Sequence, residues 1–322
     1  MMNWPSFGIG TLHFGSSIDK DDCKKIVHKA LDLGANFFDT SPLYGNCLSE
    51  EILGEILSEV RQPVLVATKV GLEVAKRKDG HFGVEIIRLT RKNLFESVEK
   101  SLTRLKRESI DLLMLHAFDP HTALSETLDA LIQLHQEGKI QSFGCSNYNP
   151  QQLKMLIKEV KHKKSPLFSA AQCHYNMVER RAERLFIPLC ETNQVRVVIN
   201  RALARGALSG QYTIPGAYPE HSRASKSWRV RKWLEPGRLN LLEELSTLSA
   251  KQGLPLAETA LLWLKKIHPN SIPLIGARNI EQLSQCIKSA NLLLDDRLFK
   301  EIEALLNKDP NVHRSPPRYF EK

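Results

Sequence analysis

Eight short apolar runs, separated from one another by stretches with helical spacing, constrain this chain of 322 residues more than any other feature. They occupy residues 7–11, 36–40, 64–69, 111–116, 140–146, 168–174, 195–200 and 271–276. Each is apolar nearly throughout rather than alternating, as a strand covered on both faces requires. Between them, Cys23, Ile26, Val27, Ala30 and Leu31 recur at three- and four-residue intervals, as do Leu94, Val98, Leu102 and Leu105, and Leu239, Leu242, Leu245 and Leu248. That is the one-sided stripe of a helix packed on a sheet. Strands joined by helices pair in parallel, and eight such units close into an eight-stranded parallel (β/α)8 barrel.

The competing arrangement, an open doubly wound sheet, calls for a G-x-G-x-x-G turn after its first strand. Here Phe7-Gly8-Ile9-Gly10-Thr11-Leu12-His13-Phe14-Gly15 carries glycines at other spacings and opens no helix. No internal repeat or composition shift breaks the alternation, so the chain reads as a single barrel domain over residues 1–322. One segment departs from the rhythm. Residues 210–237 hold Pro215, Pro219 and Pro236 and a basic run of Arg223, Lys226, Arg229, Arg231 and Lys232, as expected of a long functional loop after a strand.

In a barrel of this kind the reacting groups lie where the strands end, all at one face. Thr11, Asp39, Lys69, His116, Ser146, Asn147, Gln172, Asn200 and Gly276 fall at or just past an expected strand end, and Tyr44 follows in the loop after the second. Singly, each has an ordinary structural use; as a set at neighbouring strand ends they define a chemistry. Tyrosine ionises near pH 10, so a neighbouring cation such as Lys69 favours its acting as an acid. A lysine at a barrel mouth needs a counter-charge, which Asp39 provides from the adjacent strand. A histidine beside that tyrosine orients a carbonyl oxygen and stabilises the developing alkoxide. Gly276, Arg278 and the helix start at Asn279 form a separate anion site. The expected chemistry is carbonyl reduction, with Asp39, Tyr44, Lys69 and His116 catalytic.

The net charge of +9 is spread along the chain with no nucleic-acid motif beside it, which argues for a small anionic ligand and against nucleic acid. No apolar run reaches the length of a membrane span and no signal peptide opens the chain, so a cytoplasmic protein without a membrane partner is expected. The six cysteines are scattered, with no zinc spacing; reduced thiols and no metal site are expected.

The segments Asp39-Thr40-Ser41-Pro42-Leu43-Tyr44-Gly45, Ala67-Thr68-Lys69-Val70 and Ile110-Asp111-Leu112-Leu113-Met114-Leu115-His116, with Ser101-Leu102-Thr103-Arg104-Leu105 ahead of the last, closely resemble the ordered motifs of the aldo-keto reductase superfamily. The likeness runs over residues 7 to about 306. It implies a barrel that binds a nicotinamide cofactor, NADPH with NADH as the alternative, and transfers hydride to a small-molecule carbonyl substrate while Tyr44 protonates the oxygen. By the same likeness, Gly10 and Thr11 approach the cofactor with Asp39, and Ser146, Asn147 and Gln172 hold its carboxamide. Asn200, Arg201, Leu203 and Gly206 belong to the strand end and loop over the nicotinamide and pyrophosphate. Gly276, Arg278 and Gln282 belong to the adenosine and 2'-phosphate site, where Arg278 favours NADPH.

The chain departs from the family's pattern at three places. Asn200-Arg201-Ala202-Leu203 stands where the family often has an aromatic residue, whose ring stacks on the nicotinamide, followed by Ser-Pro-Leu; Gln285 and Cys286 stand where glutamate and asparagine are common, and Leu12 replaces a common tryptophan. The resemblance also admits a cofactor-binding regulatory or sensor subunit, or an enzyme working mainly as an alcohol or sugar dehydrogenase. Phe14, Tyr44, Phe118 and Tyr175 are the expected pocket walls.

Overall fold

The computed structural model describes residues 4–76, 82–212, 218, 220, 223–226, 228–231, 234–289, 292–309 and 312. Its strands in chain order are β1 (Gly8–Gly10), β2 (Phe37–Asp39), β3 (Leu65–Val70), β4 (Leu72–Lys76), β5 (Phe82–Ile86), β6 (Ile110–Leu115), β7 (Ile140–Ser146), β8 (Phe168–His174), β9 (Arg196–Asn200) and β10 (Ile272–Ile275). Eight of them close into a barrel in the order β1-β10-β9-β8-β7-β6-β3-β2, and each neighbouring pair is parallel. These are the eight expected runs, and each strand end agrees with its run to within one residue. The expected helical stripes are buried as well, on Lys20–Asp32, Arg91–Leu105 and Pro236–Ala250, with Leu248 only partly so.

The interior of the barrel explains where the polar residues lie. Phe37, Ala67, Leu112, Met114, Ala170, Val198, Ile272 and Leu274 form one buried apolar cluster drawn from six strands, with Trp4 packed against it and set edge-on to Phe37 at 6.2 Å. Side chains two apart share a face of a strand. One step of two toward the carboxyl ends therefore leads from Phe37 to Asp39, from Ala67 to Lys69, from Met114 to His116, from Ala170 to Gln172 and from Val198 to Asn200. The inward residues are apolar in the plug and polar in the next layer. Two glycines make room in the plug: a Cβ on Gly8 would lie 2.4 Å from the Phe37 ring, and one on Gly144 would lie 2.4 Å from Met114 Sδ.

Two features differ from the sequence expectation or add to it. β4 and β5 form an antiparallel hairpin that leaves the carboxyl end of β3, with Val84 and Ile86 exposed on it; the sequence reading placed no structure there. Residues 210–237 are not one open loop, since Arg223–Lys226 and Trp228–Arg231 are short helices and a longer helix begins at Pro236. Pro215, Pro219 and Lys232 lie outside the described residues, as do the side chains of Arg223, Lys226, Arg229 and Pro236. Arg231 donates to the carbonyls of Ala224 and Ser225 at 2.8 Å each, so this member of the basic run secures its own segment. The six cysteines are unpaired with one another, and all but Cys47 are buried. No helix among the described residues is long and apolar enough to cross a membrane.

Candidate active site

Parallel pairing carries Asp39, Lys69 and His116 to one end of the barrel: Asp39 is in register with Ala67 on β3, and His116 N–H donates to the Val70 carbonyl at 2.8 Å just beyond β6. Lys69 is 1% exposed, and its Nζ donates to Asp39 Oδ1 at 2.6 Å and to the Thr40 carbonyl at 2.8 Å. Burial works against the ammonium, but the Asp39 carboxylate, supported by Tyr44, outweighs it and holds the lysine above its ordinary pKa. A buried charge of this kind persists only when paired and hydrogen-bonded.

The second Asp39 oxygen is also engaged. Gln172 Nε2 donates to Asp39 Oδ2 at 3.0 Å, while Gln172 Oε1 accepts from Ser146 Oγ at 2.9 Å and from Asn200 Nδ2 at 3.1 Å. His174 Nδ1 donates in turn to Asn200 Oδ1. Asn147 Nδ2 donates to the His116 carbonyl at 2.8 Å and to Ser146 Oγ at 3.2 Å. Ser146 of β7 and Asn200 of β9 thus converge on Gln172 of β8, which bonds the carboxylate from β2. Asn200, which stands in place of a stacking ring, is an anchor for Gln172.

Tyr44 lies in the loop between β2 and the helix Leu48–Ser58, half-buried, with Lys69 Nζ 4.9 Å from its ring centroid. Burial is the main influence on its hydroxyl and raises its pKa; Lys69, through charge and a hydrogen bond, is the chief opposing group, while Asp39 adds to the rise and Arg201 opposes it. The net shift is upward, so Lys69 limits the rise without reversing it. A tyrosine in this setting keeps its proton at neutral pH. The His116 ring stands edge-on to Tyr44, centroids 6.4 Å apart. Burial and the Lys69 charge push its pKa well below the usual histidine value, so the ring is neutral. Ser41 Oγ accepts from Leu43 N–H at 3.1 Å and lies 3.3 Å from His116 Nδ1. When the Ser41 hydroxyl donates a hydrogen bond to Nδ1, the ring proton of the neutral imidazole stands on Nε2 as a donor.

The Tyr44 loop is held by Thr11 together with three groups that sequence reasoning did not single out, Thr40, Ser49 and Glu50. Ser49 Oγ is a hub, 2.8 Å from Thr11 Oγ1, 2.9 Å from Thr40 Oγ1 and 3.0 Å from the Thr11 carbonyl. Thr11 Oγ1 also donates to the Asp39 carbonyl at 3.1 Å. Next to this hub, fully buried Glu50 accepts from Thr68 Oγ1 at 2.5 Å and from Arg104 Nε at 2.6 Å, tying the helix to the strand of Lys69. Gly45, Asn46 and Cys47 all have left-handed backbones, with φ of 57°, 52° and 75°. At Gly45 a Cβ would lie 2.7 Å from the Phe14 carbonyl, so only glycine fits. The signal for the hub was present in Thr11, Thr40 and Ser49, three small hydroxyl residues around one strand end, but their mutual distances are a property of the barrel's closure.

The residues expected to hold a nicotinamide cofactor are suited to it. Ser146, Asn147 and Gln172 present a hydroxyl and two amides at one spot, the set of donors and acceptors a primary carboxamide requires. Gly276 follows β10, and a Cβ there would meet no atom within 4 Å, so open space adjoins the strand end. Arg278 N–H donates to Gln282 Oε1 at 3.1 Å, and Gln282 N–H donates to Asn279 Oδ1 at 2.9 Å at the start of the helix Ile280–Ser289. The loop Leu203–Leu208 runs through left-handed residues Ala204, Arg205 and Gly206. Gly10 ends β1 in register with Asp39, and Thr11 N–H, the next along, donates to the Asp39 carbonyl at 3.0 Å. Two expected wall residues are corrected: Phe14 is 1% exposed and packs in the core, and Tyr175 is 0% exposed, stacked on Trp263 and donating to Glu183, so neither offers surface to a ligand. Phe118 is partly buried and edge-on to Tyr148. Cys286 packs in the core, where burial raises its pKa to about 11. Among the described residues no cluster of three or more histidine, cysteine, aspartate or glutamate side chains is placed to hold a metal ion.

Comparison with known proteins agrees with this arrangement. The Aldo/keto reductase family profile matches residues 6–307. L-glyceraldehyde 3-phosphate reductase of Escherichia coli (strain K12) is 30% identical over 302 residues, spanning 90% of this chain and 85% of that protein. Aldo-keto reductase YhdN of Bacillus subtilis (strain 168) is 29% identical over 311 residues, spanning 93% and 89%. Among solved structures, the glycerol dehydrogenase from Gluconobacter oxydans superposes with a TM-score of 0.82 at 28% identity, covering 99% of this chain and 96% of that one. An aldo-keto reductase from Bacillus halodurans, in its holo form, superposes with a TM-score of 0.75 at 27% identity, covering 93% and 91%. The closed parallel barrel, the polar layer at its carboxyl end and these matches along nearly the whole length agree: the chain belongs to the aldo/keto reductase family of oxidoreductases.

Proposed function

We propose that the chain reduces an aldehyde or ketone to an alcohol with NADPH, Tyr44 serving as the proton donor. The observation that carries this reading is the buried Lys69–Asp39 pair set beside the half-buried Tyr44, with a neutral His116 edge-on to the same ring. Ser146, Asn147 and Gln172 would hold the carboxamide of a reduced nicotinamide, which when bound would supply the hydride to the carbonyl carbon. As the carbon–oxygen π bond opens, the Tyr44 O–H bond breaks and its proton closes the new hydroxyl. The phenolate left behind is stabilised by Lys69 until solvent returns the proton, and His116 Nε2–H steadies the oxygen as charge develops on it. Asp39 keeps Lys69 in place for this role, and Gln172 keeps Asp39 in place.

The same residues serve alcohol oxidation with the proton moving the other way, and the structural likeness to a glycerol dehydrogenase favours that second direction. Steady-state absorbance at 340 nm with NADPH and a panel of aldehydes, and with NADP+ and a panel of alcohols, tests both. Turnover in either direction is expected; inactivity across both panels would leave the chain a cofactor-binding regulatory subunit.

The cofactor preference rests on Arg278 beside the start of Ile280–Ser289. Charge-assisted contacts to a phosphate are worth about 1.5–3 kcal/mol. Arg278→Ala is therefore expected to raise the Kd of NADPH at least about tenfold and to change that of NADH little, as read by fluorescence titration. An equal change in both removes the 2'-phosphate assignment.

A further inference from the structure

At the ends of β8 and β9 three side chains form a hydrogen-bonded chain whose polarity is the same at every link. His174 and Asn200 are partners in register across these strands, and Gln172 lies two residues before His174 on the same face. His174 Nδ1 donates to Asn200 Oδ1, Asn200 Nδ2 donates to Gln172 Oε1 at 3.1 Å, and Gln172 Nε2 donates to Asp39 Oδ2 at 3.0 Å. The chain starts at a partly exposed imidazole and ends on a buried carboxylate.

A side-chain amide can face its neighbours either way round, and its partners decide which. Asp39, paired as a carboxylate with Lys69, can only accept, so it needs the nitrogen of Gln172 and would be repelled by the oxygen. The far side of the amide secures that choice. Gln172 Oε1 accepts from Asn200 Nδ2 and from Ser146 Oγ, and Ser146 is itself turned toward it by Asn147 Nδ2, which donates to its Oγ at 3.2 Å. Asn200 is oriented in the same way by His174. An aromatic ring in place of Asn200 could make neither bond.

The chain bears on the reaction at the moment charge moves. As Tyr44 gives up its proton, the phenolate competes with Asp39 for the Lys69 ammonium, which lies 2.6 Å from Asp39 Oδ1 and 4.9 Å from the Tyr44 ring centroid. Asp39 then depends more on its other donor, the Gln172 amide. A bond that strengthens as charge develops lowers the barrier, whereas one of constant strength does not.

We propose that Asn200 is a positioning residue for proton transfer: it holds the Gln172 amide with its nitrogen toward Asp39, so that the carboxylate keeps a donor while Lys69 turns to the Tyr44 phenolate. The inference rests on the reductase reading and adds a residue to its machinery. It also moves Asn200 from the cofactor contacts, where the family resemblance placed it, to the support of Asp39.

A double-mutant cycle on the full-length protein tests it, with NADPH and whichever aldehyde of the panel is turned over fastest. Asn200→Asp keeps the shape of the side chain but replaces the donor at Nδ2 with an acceptor oxygen, so Gln172 turns its nitrogen away from Asp39. The expected result is a fall in kcat of about 10- to 100-fold, the worth of a hydrogen bond to a charged group, with the Kd of NADPH changed less than about threefold. Made in a Gln172→Leu background, the same substitution lowers kcat by no more than about a further threefold, because the amide it acts through is gone. Asn200→Leu removes the donor without adding a charge and lowers kcat in the same way; it replaces the acidic variant in the cycle if that variant does not fold.

A kcat unchanged by loss of the Asn200 donor overturns the proposal. So does a full loss repeated in the Gln172→Leu background, which makes Asn200 act independently of Gln172, and so does weaker NADPH binding at an unchanged kcat, which returns Asn200 to the cofactor. If the unaltered protein reduces none of the panel, the reductase reading fails, and the chain is then read from the urea midpoint of the ligand-free protein. A midpoint that falls in either single variant and no further in the double supports the link from Asn200 through Gln172; additive falls overturn it.

Discussion

Tyr44→Phe is expected to lower kcat for carbonyl reduction by at least about a thousandfold while the Kd of NADPH stays within about threefold. The substitution removes one hydroxyl and keeps the ring, so packing against Lys69 and His116 persists. A positioned general acid contributes roughly 10²–10⁴ in rate, and no other described group combines a dissociable proton with this position. Residual activity within a few-fold of the unaltered protein would reassign the donor, with His116 the next candidate. The pH dependence has a defined sign. Burial raises the Tyr44 pKa, so reduction persists through neutral pH and falls only in the alkaline range as the phenol ionises.

The second large effect concerns stability as well as rate. Lys69→Met leaves Asp39 buried with its main counter-charge gone, and breaking a buried pair in this way costs about 3–5 kcal/mol. Urea denaturation at pH 7 should show that loss, and kcat should fall with it because Tyr44 loses the cation that favours release of its proton. In the double variant Lys69→Met with Asp39→Leu, part of the stability should return without activity, since no unpaired charge remains. If the single variant is as stable as the parent, the pair is not the anchor described here. The linkage also has a sign. The folded-state pKa of Lys69 is raised, so its contribution is fully present below the unfolded value near 10.4 and is lost as pH rises through the higher folded value. Acid does not remove the lysine's part; alkali does.

Much of this was legible because a barrel strand declares itself twice, once by a run of apolar residues and again by the polar residue that ends it. Asp39, Lys69, His116 and Gln172 each stand two residues beyond an apolar member of the interior plug, so the strand period alone places them together. The β4–β5 hairpin went unread because Glu73, Lys76 and Glu85 dilute its apolar residues. The remaining signal was the Asp79-Gly80 turn dipeptide between them. Phe14 and Tyr175 were misplaced for the opposite reason: their sequence positions beside strand ends are right, but direction after a strand end is set by the loop. Tyr175 turns toward Trp263 and Glu183 rather than toward the mouth. The bond from Gln172 to Asp39 joins residues 133 positions apart and has no local signature at all.

The Ser49 hub bears on how much the protein must rearrange before it can react. Eight residues, 40–47, lie between Asp39 and the helix Leu48–Ser58, and both ends of that span are tied to the same three hydroxyls, Thr11, Thr40 and Ser49. Between the ties, Asn46 and Cys47 hold left-handed backbones that cost on the order of 1–3 kcal/mol each, a cost met once, during folding. The Tyr44 hydroxyl is therefore aimed before any ligand arrives, and the dipoles around it need no reorganisation at the moment of proton transfer.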